Sequence, residues 1–187
     1  MITMNRTRLY NILMDDNIIE SINNNKEELL TIIPELKDMI NFPHNHPHHH
    51  LDVWNHTLLA LSLSPKEFEI RLALLLHDIG KPHSYQDKEV RHFKGHPKVS
   101  SKMSYKILKR LNFNEYEISE IYYLIEKHDT RITDKDIIEN NNLAIKRFKI
   151  QICDALAHNP TKLEKRIAYL KLIDYKINKY TKKLTIN

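Results

Sequence analysis

The sequence is poor in glycine, and this scarcity excludes two common classes of nucleotide site. Its 187 residues contain only two glycines, Gly80 and Gly95. A dinucleotide-binding fingerprint needs three closely spaced glycines, and a P-loop needs two followed by Lys and Ser or Thr. Neither motif is present, and so few glycines also disfavour a fold with many tight β-hairpins. The composition therefore favours helices joined by polar loops.

Cysteine and long apolar runs are also scarce. Cys153 is the only cysteine, which excludes a disulfide framework within the chain and a Cys-ligated structural zinc site. No run of eighteen apolar residues occurs, so no membrane span is expected. The first residues, MITMNRTRLYNILMDD, interrupt their apolar positions with charges and predict no secretory signal. We therefore expect a cytoplasmic protein with no membrane contact.

Positive charge is concentrated at one end of the chain. The formal net charge is +5, and residues 160–187 hold eight Lys or Arg against Glu164 and Asp174. Such an end can bind phosphate groups, and RNA contact by a basic C-terminal helix is one interpretation. The plainer interpretation is a solvated helix face. The sequence leaves both open.

Helical periodicity extends over most of the chain and predicts an all-α bundle of about eight helices. Residues 66–79 are apolar on nearly every side, which is typical of a central helix. Gly80 follows it at a position that favours a left-handed residue, and Pro82 prevents continuation. Pro34 predicts a kink or break in the second helix. The predicted helices span residues 4–20, 26–41, 51–63, 66–79, 96–111, 115–128, 143–158 and 161–182, with a short one at 133–139.

A chain of this length and composition is expected to form one domain, residues 1–187. Within it we predict a helical N-terminal extension over 1–41, a core over 42–160 and a basic C-terminal helix over 161–187. Residues 81–94 are polar and predict an irregular segment.

Histidine and aspartate recur on the apolar faces of successive predicted helices. Buried carboxylates and imidazoles are costly unless they bind a partner, and a divalent cation satisfies all of them. One ion can be held by four of them, and a second ion by the remaining two together with Asp78. A lone inward histidine is more often a hydrogen-bonded core residue, but an adjacent His-Asp pair after a leucine run has few structural uses. The six candidate ligands are His56, His77, Asp78, His96, His128 and Asp154.

Two of these candidates have specific alternatives. His96 precedes Pro97 and can simply begin a helix, and His128 can complement a helix C-terminus. A ligand set of nitrogen and oxygen suits Mn, Fe, Ni, Co or catalytic Zn, whereas Mg alone prefers more oxygen. Two ions about 3.5–4 Å apart activate a water and stabilise an in-line phosphoryl displacement. The pattern therefore predicts one or two divalent ions and phosphoryl chemistry.

Three further predictions concern substrate and catalysis. Asp78 is predicted to be catalytic as well as a ligand, because it can reach both ions. Lys81 is predicted to neutralise a substrate phosphate or the leaving oxygen, with surface solvation as the alternative. The segment HNHPHHH, residues 44–50, is predicted to be a loop at the site entrance in which His50 contacts substrate. Adventitious surface metal binding is the alternative for that loop.

Four ordered segments resemble consecutive motifs of the HD-domain metal-dependent phosphohydrolase superfamily, and more closely the HD region of bacterial tRNA nucleotidyltransferases. They are HHHLDVWNHTLLAL, LALLLHDIGKP, HFKGHPKVS and DALAHNP, and the likeness covers residues 44–160. It implies an all-α fold and metal ligation by His56, His77, Asp78 and Asp154, with His96 and His128 for a second ion. In those tRNA enzymes the region is associated with 2′,3′-cyclic phosphodiesterase, 2′-nucleotidase and phosphatase activities. Other members hydrolyse nucleoside phosphates or dinucleoside polyphosphates.

The sequence departs from the motifs of several related families, which narrows the range of expected activities. The 55 residues before His56 are too few for a nucleotidyltransferase head, so CCA addition is not expected. Lys81 follows the HD pair where dGTPase-like sequences have a second glycine-histidine, and Asp87 and Glu89 are scattered where alarmone hydrolases have an acidic pair. We predict a stand-alone metal-dependent phosphohydrolase acting on a nucleotide or an RNA-end phosphate. The alternatives are an RNA-binding module that retains the metal site as a scaffold, and a subunit that works with a separately encoded nucleic-acid enzyme.

Overall fold

The computed structural model describes residues 2–86 and 89–184, and these residues fold into helices. Isolated bridges join Pro43 to Asp52 and Gln86 to His92, and the described residues contain no β-strand. This confirms the predicted all-α fold. In the described ranges, three 3₁₀ helices occur, at Pro34–Met39, Lys81–His83 and Pro160–Lys162. The described α-helices are α1 (Ile2–Leu13), α2 (Ile18–Asn24), α3 (Lys26–Ile32), α4 (Val53–Ser62), α5 (Phe68–Leu76), α6 (His96–Arg110), α7 (Glu115–Glu126), α8 (Asp134–Glu139), α9 (Asn141–Leu156) and α10 (Glu164–Leu184).

The prediction of one helix over residues 4–20 is wrong, because the helix is interrupted between α1 and α2. The Asp15 carboxylate accepts a hydrogen bond from the Asn17 backbone at 2.8 Å. Asn17 then caps α2 by accepting from the Glu20 backbone at 3.4 Å. Short polar side chains that bond to nearby backbone groups compete with helix formation, and here they end one helix and start the next.

The break predicted at Pro34 is confirmed. Helix α3 ends at Ile32, and the chain continues as the 3₁₀ helix Pro34–Met39. Proline disfavours helical backbone in the residue before it, which explains why the α-helix ends there. The segment predicted as one helix over 26–41 is therefore an α-helix followed by a 3₁₀ helix.

Helix α5 is the centre of the bundle, as its apolar sequence predicts. It packs against α1, α4, α6, α7 and α9. The side chains of Leu72, Ala73, Leu74, Leu75 and Leu76 have no solvent exposure. Because this helix is buried, the residues that follow its last turn lie in the protein interior. The next two residues are His77 and Asp78.

The prediction that Gly80 adopts a left-handed conformation is wrong. Its φ of −85° and ψ of −10° are right-handed values open to any residue. Glycine is required there for another reason, because a Cβ would lie 2.5 Å from the Ser100 backbone nitrogen in α6. The Gly80 N–H donates to Ser100 Oγ at 2.9 Å. The left-handed glycine is Gly95, with φ of 82°, immediately before α6.

Both ends of the described chain pack on this bundle. Helix α1 lies against α5 and α2 against α4, so the N-terminal helices share the main core. Helix α10 packs on α8 and α9 around a second apolar cluster that includes Phe148, Leu170 and Ile173. No helix in the described residues is long and apolar enough to cross a lipid bilayer. The predicted boundaries at residues 41 and 160 stay predictions.

Two predicted segments reach beyond what is described. The irregular segment 81–94 begins with the 3₁₀ helix Lys81–His83 and includes residues 87 and 88, which lie outside the described residues. The basic end 161–187 is helical from Glu164 to Leu184, and residues 185–187 lie outside the described residues.

Candidate metal centre

The six predicted ligands converge on one buried position. They come from different parts of the bundle: the middle of α4, the residues just after α5 and α7, the first residue of α6 and the end of α9. Their exposed fractions lie between 0% and 8%. Helix periodicity placed them on inward faces, and the packing of these helices around α5 brings those faces together. The converging residues are His56, His77, Asp78, His96, His128 and Asp154.

Four of these residues form a first group. His56 Nε2 lies 3.0 Å from Asp154 Oδ1 and 3.7 Å from Asp78 Oδ2. His77 Nε2 lies 3.3 Å from Asp78 Oδ2 and 3.7 Å from Asp154 Oδ1. Two imidazole nitrogens and two carboxylate oxygens therefore face the same small volume, as a four-ligand ion site requires.

The remaining two histidines form a second group on the other oxygen of Asp78. Asp78 Oδ1 lies 3.2 Å from His96 Nε2 and 3.9 Å from His128 Nε2. The two Nε2 atoms are themselves 3.2 Å apart. Because each oxygen of Asp78 faces a different group, this residue is placed to bridge two ions.

Backbone carbonyls orient all four histidines from the far side of each ring. We assign the proton to Nδ1 in each case, because Nδ1 faces a carbonyl and Nε2 faces the centre. The carbonyls of Leu74 and Ile125 lie in the last turns of α5 and α7, where helices leave carbonyls unpaired. Metal-binding histidines are commonly held in this way. The Nδ1-to-oxygen distances are 3.1 Å for His56 to Ala157, 2.6 Å for His77 to Leu74, 2.9 Å for His96 to Phe93 and 2.7 Å for His128 to Ile125.

Unsatisfied polar atoms at the centre show that the residues fit a cation. His77 Nε2 and both carboxylate oxygens of Asp78 are buried without a hydrogen bond among the described residues. Lys81 Nζ lies 2.7 Å from Asp78 Oδ2, but not in hydrogen-bond geometry. Leaving buried polar groups unpaired costs on the order of several kcal/mol, and a divalent ion bound by these atoms removes the cost.

The electrostatics of the centre also favour positive charge. Burial opposes ionisation of Asp78, but the charges of His77 and Lys81 outweigh it and hold the Asp78 pKa well below its usual value. The Asp154 pKa is lowered in the same way against burial, by His158 and Arg166. Burial opposes the charged form of His77, yet the Asp78 charge raises the His77 pKa to about 10. In the absence of metal, a proton on His77 supplies part of the positive charge that the carboxylates require.

Lys81 is buried, so the alternative that it is a solvated surface residue is wrong. Only 4% of the residue is exposed, and its Nζ lies between Asp78 Oδ2 at 2.7 Å and His44 Nε2 at 3.0 Å. Burial and the Lys81 charge lower the pKa of His44 to about 2, so His44 is neutral and accepts from Lys81. Lys81 is therefore a fixed positive charge beside the candidate ligands.

A pocket of about 570 Å³ opens onto the centre. Its wall includes the ligands Asp78, His96, His128 and Asp154. Among the described residues outside the ligand set, five cationic side chains line it against the acidic Asp129 and Glu164. This balance suits an anionic ligand that reaches the metal position. The five cations are Lys81, Arg91, Lys162, Lys165 and Arg166.

The histidine-rich loop, residues 44–50, lines part of this pocket, but through residues near His50 rather than through the predicted His50 itself. His50 is exposed and does not line the pocket, whereas His46, His48 and His49 do. The His49 ring stacks on that of His44, with centroids 3.7 Å apart. A substrate contact by His50 stays a prediction.

Sequence reasoning missed two residues that touch Asp154. His158 Nδ1 lies 2.7 Å from the Asp154 carbonyl, and donor atoms of His158, His56 and Asp154 lie within 4.8 Å of one another. Arg166 donates to Asp154 Oδ2 at 2.5 Å. The spacing of four between Asp154 and His158 was a usable signal, since it places both on one helix face. Nothing in the sequence marked Arg166, which reaches Asp154 only because α10 turns back onto α9.

Comparison with known proteins agrees with this geometry. Residues 48–177 match the HD domain family. The chain is 33% identical over 132 residues to the CC-adding tRNA nucleotidyltransferase of Thermus thermophilus, covering 66% of this chain and 29% of that enzyme. It is 31% identical over 96 residues to the A-adding tRNA nucleotidyltransferase of Deinococcus radiodurans, covering 47% of this chain and 22% of that enzyme.

The alignments therefore span less than a third of either relative's length. They are consistent with a likeness to an HD region that does not include a nucleotidyltransferase head. HD domains bind divalent metals, and the clusters found here have the donor atoms to do so. The match over most of the chain, together with the His-Asp pair placed at the end of a buried helix, shows that this protein belongs to the HD domain family, within the superfamily of metal-dependent phosphohydrolases.

Proposed function

We propose that this protein is a metal-dependent phosphohydrolase that acts on a nucleotide or an RNA-end phosphate ester, as a phosphatase or a 2′,3′-cyclic phosphodiesterase. The observation that carries the proposal is the convergence of six nitrogen and oxygen ligands beneath a pocket with a cationic lining. Phosphoryl transfer depends mainly on positioning and charge stabilisation, and both are built into this arrangement.

The cofactor proposed is one or two divalent ions, chosen from Mn, Fe, Ni, Co, Mg and Zn. His56, His77, Asp78 and Asp154 would hold one ion, and His96, His128 and Asp78 the other. When bound, such ions supply an activated water and stabilise charge on the phosphoryl oxygens.

The protein's own residues position the substrate. Lys81, held between Asp78 and His44, neutralises a phosphoryl oxygen at the inner end of the pocket. Arg166 and Lys162, which α10 and the preceding 3₁₀ helix bring to the pocket lining, bind the phosphate as well. The backbone carbonyls behind the histidines keep the rings in place while substrate exchanges.

Metal-supplemented hydrolysis tests the proposal. Purified protein is assayed with each of the six metals against 2′,3′-cyclic nucleotides, mononucleotides, dinucleoside polyphosphates and p-nitrophenyl phosphate. We expect activity with at least one metal and a loss of about a hundredfold or more in Asp78→Ala and His77→Ala. The matched control is His83→Ala, a half-exposed histidine paired with Asp38. Undiminished activity in Asp78→Ala would exclude the centre as the catalytic site.

RNA binding is a second candidate, favoured by the position of the basic chain end. Lys162, Lys165 and Arg166 line the pocket at the start of α10, and exposed Lys171 and Lys179 continue along that helix. An RNA strand lying on α10 would direct its end towards the centre. We expect salt-dependent RNA binding, with a slope reduced by about one unit in Lys171→Ala or Lys179→Ala, because each variant removes one cation that pairs with a phosphate. No binding at low salt would exclude it.

A further inference from the structure

We propose that the ligand of this site carries two phosphate groups, and that a second, smaller pocket beside the metal centre binds the one that is not hydrolysed. The inference rests on the proposed function for the first phosphate. The second pocket has a volume of about 250 Å³. It shares His128, Asp129, Lys165 and Arg166 with the main pocket, so one ligand can occupy both.

The charge of the second pocket favours an anion. Arg131, Lys165 and Arg166 line it, and Asp129 is its only acidic lining residue among those described. Arg166 already donates to Asp154. Arg131 and Lys165 form no ion pair with any described residue, so two cations remain available. A phosphate that reaches this pocket meets more positive than negative charge, whereas a neutral sugar or base leaves these cations without a counter-charge.

Buried side chains of α9 hold the loop that presents Arg131. Gln151 Nε2 donates to the Thr130 carbonyl at 2.7 Å. Arg147 donates to the same carbonyl at 3.0 Å and faces the Arg131 carbonyl at 3.4 Å. Gln151 and Arg147 are 4% and 2% exposed. Buried donors bonded to one short loop fix its backbone, which reduces the entropy lost when a ligand binds.

The Tyr169 ring forms one wall of the second pocket. Its hydroxyl accepts from the Ile132 backbone at 2.7 Å and donates to Gln151 Oε1 at 3.3 Å. The Arg131 guanidinium carbon lies 5.9 Å from the ring centroid, within the range of a cation–π contact. This contact positions the guanidinium beside the ring and leaves its N–H groups to a ligand. Because Arg131 approaches this ring, the arrangement favours a phosphate over a stacked base.

The geometry therefore points to a substrate class. The reacting phosphate ester lies at the metal centre, and a second phosphate joined to it through a ribose lies against Arg131 and Lys165. Two ligands share this chemistry: a nucleoside 3′,5′-bisphosphate, and an RNA 3′ end in which the last phosphodiester supplies the second phosphate. A nucleoside monophosphate lacks the second group and is predicted to bind more weakly.

Equilibrium binding tests the inference independently of turnover. Thermophoresis with full-length, metal-loaded protein measures Kd for adenosine 3′,5′-bisphosphate, for the 3′-phosphorylated dinucleotide ApAp, and for adenosine 3′- and 5′-monophosphate, within a time that precedes hydrolysis. We expect the two-phosphate ligands to bind about tenfold more tightly than the monophosphates, the size expected for one added charged hydrogen bond. A tighter Kd for the bisphosphate or for ApAp distinguishes the free nucleotide from the RNA end.

Variants locate the second phosphate. Arg131→Ala and Lys165→Ala are expected to remove most of the tenfold advantage, while Arg131→Lys retains part of it. Lys106→Ala is the matched control, since it removes one exposed charge from α6 outside both pockets. Hydrolysis of p-nitrophenyl phosphate, which has no second phosphate, is expected to stay within about twofold in Arg131→Ala and Arg131→Lys, because Arg131 lines only the second pocket.

Two results would overturn the inference: equal Kd values for one- and two-phosphate ligands, or an advantage that persists in both Arg131→Ala and Lys165→Ala. A protein that binds the bisphosphate preferentially but hydrolyses nothing with any metal would refute the proposed function and leave the second pocket established. A protein that hydrolyses p-nitrophenyl phosphate but shows no preference for two phosphates would support the proposed function and refute the second phosphate-binding pocket.

Discussion

At the scale of single residues, Asp78 is the side chain that links the two groups of candidate ligands. Its two oxygens face different pairs of imidazoles, and both are buried without a hydrogen bond among the described residues. Each histidine, unlike Asp78, belongs to only one of the two groups of candidate ligands. Removing a histidine is therefore expected to affect one ion position, whereas removing Asp78 affects both.

His96→Ala is expected to lower the metal content of the purified protein from about two ions to about one per chain, because His96 belongs only to the second group. Inductively coupled plasma mass spectrometry of the purified variants measures the stoichiometry. His83→Ala serves as the matched control, with wild-type content. An unchanged stoichiometry in His96→Ala would show that the second group holds no ion.

At the scale of elements, the close approach of the turn after α5 to α6 sets where Lys81 and Asp78 lie. Gly80 permits this approach, since its N–H bonds Ser100 and no side chain intervenes. The pairing of Arg110 at the end of α6 with Glu35 joins α6 to the N-terminal helices, with two hydrogen bonds of 2.7 and 2.8 Å. The close approach at Gly80 and the Arg110–Glu35 pair are tested separately below.

Gly80→Ala is expected to destabilise the fold by about 1–3 kcal/mol and to weaken metal binding, because the new Cβ would clash with the backbone of α6. Urea unfolding and metal titration measure the two effects. Gly95→Ala is the comparison: its Cβ would meet nothing within 4 Å, although its φ of 82° strains an alanine. Gly95→Ala is therefore expected to lose stability through backbone strain rather than through a clash. Wild-type metal affinity in Gly80→Ala would contradict the role given to this close approach.

Glu35→Gln is expected to lower stability at pH 7 by about 0.5–1 kcal/mol, a modest value because the pair is partly exposed. The hydrogen bond from Arg110 outweighs burial and lowers the Glu35 pKa below 4.5. The contribution is therefore complete above pH 4.5 and is lost as the pH falls through the lower, folded-state pKa. Thermal unfolding of wild type and variant from pH 7 to pH 3 measures it, with Glu27→Gln on α3 as the control. A difference that does not shrink on acidification would contradict the assignment.

At the scale of the whole molecule, the candidate metal position is where five helices meet. The candidate ligands lie on or directly beside α4, α5, α6, α7 and α9, so an ion bound there would join most of the bundle. The same convergence leaves buried carboxylates in mutual contact with imidazoles when no ion is bound. Stability and metal occupancy are therefore coupled.

Removing metal with a chelator is expected to lower Tm by about 10 °C, since an ion present at about a thousandfold its Kd contributes about 4 kcal/mol. Differential scanning calorimetry with and without chelator measures the shift. Asp78→Ala should show no shift, because it lacks the bridging ligand. An equal shift in Asp78→Ala would place the stabilising ion elsewhere.

The sequence predicted the helical fold from local periodicity, and it predicted the six candidate ligands from apolar helix faces, the adjacent His-Asp pair and the resemblance of four segments to HD-domain motifs. His56 and Asp154 lie on apolar faces, and such faces meet in any compact bundle. Features set by distant segments were not predictable. Arg166 bonds Asp154 only through the return of α10, and the reason for glycine at position 80 lies in α6. The loop conformation likewise decides that His49, and not His50, lines the pocket.

The hydrogen bond between Arg166 and Asp154 couples binding of the substrate anion to binding of the metal ion. Arg166 lines both pockets while donating to a candidate metal ligand. A bound phosphate that draws this guanidinium away changes the charge felt by Asp154, and thermodynamic linkage requires the reciprocal effect to be equal. The protein is thus expected to bind its anion with a different affinity when loaded with metal, and to bind its metal with an affinity changed by the same factor when the anion is bound.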